Sequence, residues 1–134
     1  KYCREELEMT QKELGYVFGV HESTISGWET NKDIIPLTKL IKFSNLYSFS
    51  VDYIIGLNRK NNYIKLGKVS KQNIGCKLKK IRKQLGLTQQ EIAKVCGISQ
   101  TTYSNYELGI NLISTLTLYT ICKTYKLSMD EILK

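Results

Sequence analysis

The sequence predicts an all-α protein made of two tandem helical domains. The stretch TQQEIAKVCGISQTTYSNYE at 88–107 repeats the stretch TQKELGYVFGVHESTISGWE at 10–29, with an offset of 78 residues. Both stretches carry apolar residues at helical spacing and a glycine at the same place. Two units of about 60 residues each are expected, near the lower limit for an unaided core. We place the first domain at 1–57, a basic linker at 58–73 and the second domain at 74–134.

The net charge of +8 is unevenly distributed along the chain. Residues 1–60 hold eight Lys/Arg and eight Asp/Glu, whereas residues 61–134 hold twelve and four. A basic surface attracts polyanions through its long-range potential and through counterion release. Nucleic acid is therefore the leading partner, and an anionic membrane surface is the weaker rival. The alternative is that the lysines only solvate a small domain.

Composition predicts neither a membrane span nor a cofactor. No apolar run approaches the roughly 18 residues of a span, and no secretory segment is apparent, so we expect a soluble, cytoplasmic protein. The four cysteines form no C-x-x-C pair and His21 is the only histidine, so we expect no metal. Three cysteines have partners in the repeat and are instead expected to be small buried side chains in a reducing compartment: Cys3, Cys96 and Cys122. No catalytic constellation is present, so no enzyme is predicted.

Each repeat opens with a capping box. Thr88 is followed three residues later by Glu91, a spacing at which the hydroxyl and the carboxylate satisfy each other's backbone N–H groups. A helix is therefore expected to begin at the threonine and to end at Gly97, where glycine can adopt a left-handed conformation. The first repeat has the same residue types 78 positions earlier. An inward apolar stripe at i, i+3 and i+4 is expected in both: Ile92, Val95 and Cys96; Leu14, Val17 and Phe18.

A second short helix should follow each glycine. Ser99, or His21 in the first repeat, occupies its N-cap position. Two residues spaced i, i+3 should face the core: Tyr103 and Tyr106, or Ile25 and Trp28. The opposite face is compact and polar: Gln100, Thr101, Ser104 and Asn105, or Glu22, Ser23, Ser26 and Gly27. Such a helix suits the major groove of B-DNA, which admits one helix and presents base-edge donors and acceptors.

At these residues the sequence resembles the lambda repressor/Cro class of helix-turn-helix domains, the XRE family. The match runs from IGCKLKKIRKQLGLTQQEIAKVCGISQTTYSNYELG to LSMDEIL in the second half, and from REELEMTQKEL through STISGWE to FSVDYIIG in the first. The resemblance implies two tandem five-helix DNA-binding domains in a sequence-specific transcriptional regulator, a repressor acting on double-stranded DNA. It also implies two partly buried ion pairs that join the first helix to the third: Arg4 with Glu29, and Arg82 with Glu107.

The resemblance also implies which residues contact DNA. In the second domain we assign Gln100, Thr101 and Asn105 to base edges, because Gln and Asn can pair bidentately with adenine. Contacts to the DNA backbone are assigned to Gln89, Ser99 and Thr102. In the first domain the corresponding candidates are Gln11, Glu22, Ser23 and Ser26. The alternative is that these residues form an ordinary solvated face.

The first domain is the weaker DNA-binding candidate. Glu22 places a carboxylate beside phosphates, although it could also accept from a cytosine amino group. An equally good interpretation is that this domain has shifted toward a protein contact. The rival hypothesis for the whole chain is therefore a protein-interaction module, antitoxin-like or anti-repressor-like, in which the first domain binds a protein.

The remaining helices and the linker complete the expected architecture. A 0, 3, 4, 7 apolar pattern at 118–125 predicts a fourth helix, with Pro36 at the start of its counterpart. Serines at Ser128 and Ser50 predict capped fifth helices. Lys1 aligns with Lys79, so the first helix of the first domain is shortened, and either residues precede this chain or the core is thinner.

The linker has two interpretations. As a flexible tether its rms span is about 20–25 Å, and it can stretch past the ~34 Å between half-sites one turn apart. A homodimer or an intramolecular pseudo-dimer on DNA is then expected. Alternatively, the segment YIKLGKV forms a short strand.

Overall fold

The computed structural model describes residues 1–134 and consists of ten α-helices without a strand. The chain divides into two compact units, unit 1 (Lys1–Tyr63) and unit 2 (Ile64–Lys134). Unit 1 contains α1 (Tyr2–Glu6), α2 (Gln11–Phe18), α3 (Glu22–Glu29), α4 (Leu37–Tyr47) and α5 (Val51–Ile55). Unit 2 contains α6 (Lys71–Gln84), α7 (Gln89–Cys96), α8 (Gln100–Glu107), α9 (Thr115–Tyr125) and α10 (Met129–Leu133). The predicted all-α class with two five-helix domains is confirmed.

Local sequence signals define the helix ends. Thr88 Oγ1 accepts from the Glu91 N–H at 3.1 Å, and the Glu91 carboxylate accepts from the Thr88 N–H at 3.1 Å. Unit 1 has the same capping box at the start of α2. Gly97 ends α7 with φ 67°, and Gly19 ends α2 with φ 66°, both in the left-handed region. Both capping boxes and both glycine turns are confirmed.

Each unit has its own apolar core. In unit 1 the aromatic rings of Phe18, Phe43 and Phe49 pack in sequence, with centroids 6.2 and 6.0 Å apart. In unit 2 the buried apolar side chains come from the segment before α6, from all five helices and from the α8–α9 loop: Leu66, Ile74, Leu78, Ile92, Ala93, Tyr103, Ile113, Leu118, Ile121, Cys122, Met129 and Ile132. Burying these side chains supplies the main driving force for folding in both units.

Two details of the predicted burial are wrong. Val95 is 44% exposed, and Ala93 is buried in its place. The buried stripe of the short helix α7 is centred between Ile92 and Ala93, which leaves the i+3 position at its edge. Cys96 is only half-buried, whereas Cys3 and Cys122 are buried as expected. Cys76, which has no partner in the repeat, is exposed on α6.

The first helices of the two units differ in length. α1 has five residues and α6 has fourteen. In unit 2 the extra turns bring Gly75 so close to the end of α8 that an added Cβ would lie 2.5 Å from the carbonyl oxygens of Tyr106 and Glu107. Unit 1 instead has a largely apolar cavity of about 290 Å³ whose lining includes residues of α1, α3 and α4.

The segment between α5 and α6 is irregular and forms no strand. In unit 1 the Asn61 side chain accepts from the Ser50 N–H at 2.7 Å and donates to the Ser48 carbonyl at 3.0 Å. In unit 2 Ser70 caps α6, which begins at Lys71, three residues before the expected start of the second domain. None of the ten helices combines the length and the apolar character needed to cross a bilayer.

Candidate nucleic-acid interface

Helices α7 and α8 form a helix-turn-helix in unit 2. Ser99 caps α8: its Oγ accepts from the Thr102 N–H at 3.1 Å and lies 2.8 Å from Thr102 Oγ1. Tyr103 anchors α8 in the core with no exposed surface. Gln100 and Thr101, in the first turn of α8, are exposed. The helix therefore presents its amino-terminal amide and hydroxyl groups to solvent while one aromatic side chain holds it in place.

Asn105, one turn further along α8, is half-buried. Its backbone carbonyl accepts from the N–H groups of Ile110 and Asn111, at 3.0 and 3.3 Å. These bonds fold the loop that follows α8 back onto the carboxyl-terminal end of the helix, next to Asn105.

Gln89 has a structural partner in addition to its predicted DNA contact. Its side-chain amide donates to Glu107 Oε1 at 3.1 Å. Gln89 is also the first residue of α7, where backbone N–H groups lack intrahelical partners. Glu107 thus engages one of the two N–H donors of the Gln89 side chain, and the backbone N–H at the start of α7 is a further donor of the kind that binds phosphates.

An ion pair between Arg82 and Glu107 fixes the end of α8 to α6. Arg82 Nε donates to Oε2 at 2.6 Å and Nη2 donates to Oε1 at 3.1 Å, while Nη1 donates to the Leu87 carbonyl at 2.9 Å. The two side chains are only 12% and 2% exposed. Burial acts to raise the pKa of Glu107, but the hydrogen bonds it accepts, chiefly from Arg82, outweigh it and hold that pKa below its ordinary value of 4.5.

The Tyr103 phenol lies near the same carboxylate. Its oxygen is buried and makes no hydrogen bond of acceptable geometry. Burial, followed by the proximity of Glu107, raises the pKa of Tyr103 far above its ordinary value. The phenol therefore stays neutral and acts as an apolar anchor for α8.

Unit 1 repeats this framework. Arg4 Nε donates to Glu29 Oε2 at 2.7 Å, and the Gln11 amide donates to Glu29 Oε1 at 3.0 Å. Burial acts to raise the pKa of Glu29, but hydrogen bonds from Arg4 and Gln11 lower it overall. His21 caps α3 by accepting the Ser23 N–H at its Nδ1, 3.1 Å away. Both units therefore hold the second helix of the motif with the same bonds among Arg, Gln and Glu, but they cap it differently, because His21 accepts from the N–H two residues on and Ser99 from the N–H three residues on.

The outer face of α3 differs from that of α8. Glu22 and Ser23 are exposed, and Ser26 is half-buried. A Cβ added to Gly27 would lie 2.7 Å from Asp33 Oδ2, so the Asp33 carboxylate covers the backbone of α3 at this point. Sequence reasoning did not identify Asp33. The available signal was the repeat itself, because Asp33 aligns with Asn111 at the same offset of 78.

Comparison with known proteins identifies the class. A family model described as helix-turn-helix matches residues 1–54 and, a second time, residues 78–132. The chain belongs to this family, and the predicted resemblance to XRE-type helix-turn-helix domains is confirmed in both halves. Membership rests on two separate matches, one in each half of the chain.

Particular relatives agree with this class. The chain is 39% identical over 59 residues to antitoxin PezA of Streptococcus pneumoniae serotype 4 (strain ATCC BAA-334 / TIGR4), a match covering 44% of this chain and 37% of PezA. It is 37% identical over 57 residues to the uncharacterized HTH-type transcriptional regulator YobD of Bacillus subtilis (strain 168), covering 42% of this chain and 51% of YobD. It is 44% identical over 57 residues to a second such B. subtilis regulator, YqaE, covering 42% of this chain and 49% of YqaE. The chain thus spans about half or less of the length of these curated relatives.

Proposed function

We propose that this protein is a sequence-specific regulator that binds double-stranded DNA and represses transcription by inserting α8 into the major groove. The observation that carries the proposal is the two-sided character of α8. Tyr103 is fully buried on one side, and Gln100 and Thr101 are exposed on the other. All of the excess positive charge of the chain lies in the same unit, which favours docking on a polyanion.

The polar groups of unit 2 divide into two roles. Gln100, Thr101 and Asn105 read base edges, with the two amides suited to bidentate pairing with adenine N6 and N7. The Gln89 backbone N–H and the paired hydroxyls of Ser99 and Thr102 contact phosphates, which sets the register of the helix on the duplex. The geometry supports this division because the two hydroxyls lie at the amino-terminal end of α8, beside its exposed first turn.

Unit 1 provides a second, weaker reading helix, α3; we use this term for the helix that contacts base edges, which in unit 2 is α8. Gln11, Glu22, Ser23 and Ser26 are its candidate contacts, and α3 is capped and anchored as α8 is. Binding of both units to neighbouring half-sites raises the effective concentration of the second unit once the first is bound. Repression then follows from occlusion of a promoter. The pair of sites is engaged by one chain as a pseudo-dimer or by two chains as a homodimer.

The test is selection of duplexes from a random pool with the full chain, followed by a salt titration. Specific binding predicts an enriched motif and an affinity that falls steeply with salt. Gln100→Ala and Asn105→Ala should relax base preference by about 1–3 kcal/mol per lost contact. Thr124→Ala, an exposed position on α9, is the control and should preserve the preference. An unchanged preference in both α8 variants would remove the base-reading assignment.

A second candidate function is protein binding through unit 1. It is favoured by the zero net charge of residues 1–60, by the carboxylates on α3, and by the relative named as an antitoxin. Under this hypothesis unit 2 is an accessory. A tight complex with a protein, together with weak DNA binding that lacks base preference, would support it over the first proposal.

A further inference from the structure

The loops that follow α3 and α8 have the same backbone arrangement but different charge. The Asp33 N–H donates to the Gly27 carbonyl at 3.1 Å, and the Asn111 N–H donates to the Asn105 carbonyl at 3.3 Å. Asp33 and Asn111 are also equivalent in the repeat. A carboxylate in unit 1 and an amide in unit 2 therefore project from the same point beside the reading helix.

The Asp33 carboxylate lies where unit 2 carries the side chain of Asn105. Seen from a Cβ added to Gly27, the nearest atoms are all from Asp33: Oδ2 at 2.7 Å, Cγ at 3.5 Å and Cβ at 3.6 Å. The absence of a side chain at Gly27 thus leaves room for the Asp33 carboxylate. Unit 2 has at this place the amide of Asn105, which can both donate and accept, whereas the Asp33 carboxylate only accepts and is negatively charged.

Glu22 adds a second charge to this face. It is exposed in the first turn of α3, at the position that Gln100 occupies in α8. The corresponding face of unit 2 has only the uncharged groups of Gln100, Asn105 and Asn111. At two pairs of equivalent positions, Glu22/Gln100 and Asp33/Asn111, unit 1 thus has an acid where unit 2 has the corresponding amide, which changes the charge while barely changing the shape.

We infer that Asp33, reinforced by Glu22, lowers the affinity of unit 1 for DNA and makes the two units bind unequally. This inference rests on the proposed DNA-binding function. A carboxylate on the groove-facing side of α3 repels phosphates. One unit charge about 5–8 Å from a phosphate, at an effective dielectric constant of about 55 between the values for a protein surface and for bulk water, changes affinity by about three- to tenfold.

The test measures binding of the full chain to the duplex that the wild-type chain selects from a random pool, at a fixed salt concentration. Asp33→Asn should tighten binding about three- to tenfold, and the reciprocal Asn111→Asp should weaken it by a similar factor. Glu5→Gln and Thr124→Asp make the same charge changes at exposed positions on α1 and α9. These controls should each alter affinity by less than about twofold, because a charge outside the proposed interface is farther from the phosphates and is more strongly screened by salt.

The outcomes separate the inference from the proposed function. Opposite changes of affinity in Asp33→Asn and Asn111→Asp, each larger than the change in its control, support both the inference and the proposed function. If the wild-type chain binds its duplex but Asp33→Asn behaves like Glu5→Gln, the inference is overturned and the proposed function stands. If the wild-type chain selects no duplex and binds DNA without base preference, the proposed function fails and the inference fails with it. Circular dichroism of each variant verifies that the helices are retained.

Discussion

Replacing Glu107 by glutamine should destabilise unit 2 severely. The carboxylate accepts from Arg82 Nε at 2.6 Å, from Arg82 Nη2 at 3.1 Å and from the Gln89 amide at 3.1 Å. Glutamine keeps the size of the side chain but removes its charge, and its amide nitrogen cannot accept a hydrogen bond. The Arg82 guanidinium, on a side chain only 12% exposed, would remain charged without its counterion.

The expected loss is a large share of the stability of the unit. Removing one partner of a buried ion pair costs about 3–5 kcal/mol. A unit of roughly 70 residues has about 3–10 kcal/mol in total. Glu107→Gln should therefore lower the urea midpoint of unit 2 by at least about a third of its wild-type value or leave the unit unfolded without denaturant. The exposed Glu131 serves as the control, and Glu131→Gln should change stability by less than about 0.5 kcal/mol.

The chain offers separate probes for its two units. Trp28 is the only tryptophan and lies in unit 1, where its ring packs against Phe18 with centroids 6.1 Å apart. Tryptophan fluorescence therefore follows unit 1, whereas far-UV circular dichroism follows both units. Glu107→Gln should alter only the circular dichroism transition, and Glu29→Gln should alter the fluorescence transition. Equal midpoints for Glu107→Gln and Glu131→Gln would refute the assignment of a stabilising role to the buried pair.

Three further outcomes are expected, all measurable by urea titration with circular dichroism. Gly75→Ala should destabilise unit 2 by about 1–3 kcal/mol, because the new methyl group meets two backbone carbonyl oxygens at 2.5 Å. Cys76→Ala, at the exposed neighbouring position, is the control. Equal losses of stability in the two variants would contradict the close approach of Gly75 to α8. Because the pKa of Glu107 in the folded state lies below its ordinary value of 4.5, its contribution is fully present above that pH and is lost as the pH falls through the folded-state pKa. The loss of stability of unit 2 at low pH should therefore be smaller in Glu107→Gln than in the wild-type chain. Identical profiles of stability against pH for the two proteins would contradict this role of Glu107. Thr88→Ala should cost about 1 kcal/mol, whereas Thr124→Ala should be nearly neutral.

Much of the helix-turn-helix could be predicted because its signals are local. A threonine followed three residues later by a glutamate caps a helix using atoms within one turn, and the glycine after that helix needs only its own φ angle. Because both signals lie within short stretches of chain, the sequence alone predicts the capping box at Thr88 and the turn at Gly97. The repeat strengthened these predictions because the same signals occur twice.

The position of the Asp33 carboxylate beside α3 and the partner of the Gln89 side-chain amide could not be predicted in this way. Asp33 covers Gly27 because the loop after α3 folds back onto the helix. The side-chain amide of Gln89 is held by Glu107, 18 positions away. Burial likewise depends on how a helix is rotated against its neighbours, which is why Cys76 is exposed and Cys122 is buried.

Helix positions, their caps and the doubling of the domain thus follow from the order of residues, because each depends on interactions within a few positions. The availability of a polar group to a duplex depends on contacts between segments distant in the chain. Those contacts leave Gln100 exposed, engage the Gln89 amide and place a carboxylate over α3. Only the packing of the helices and loops in three dimensions determines them.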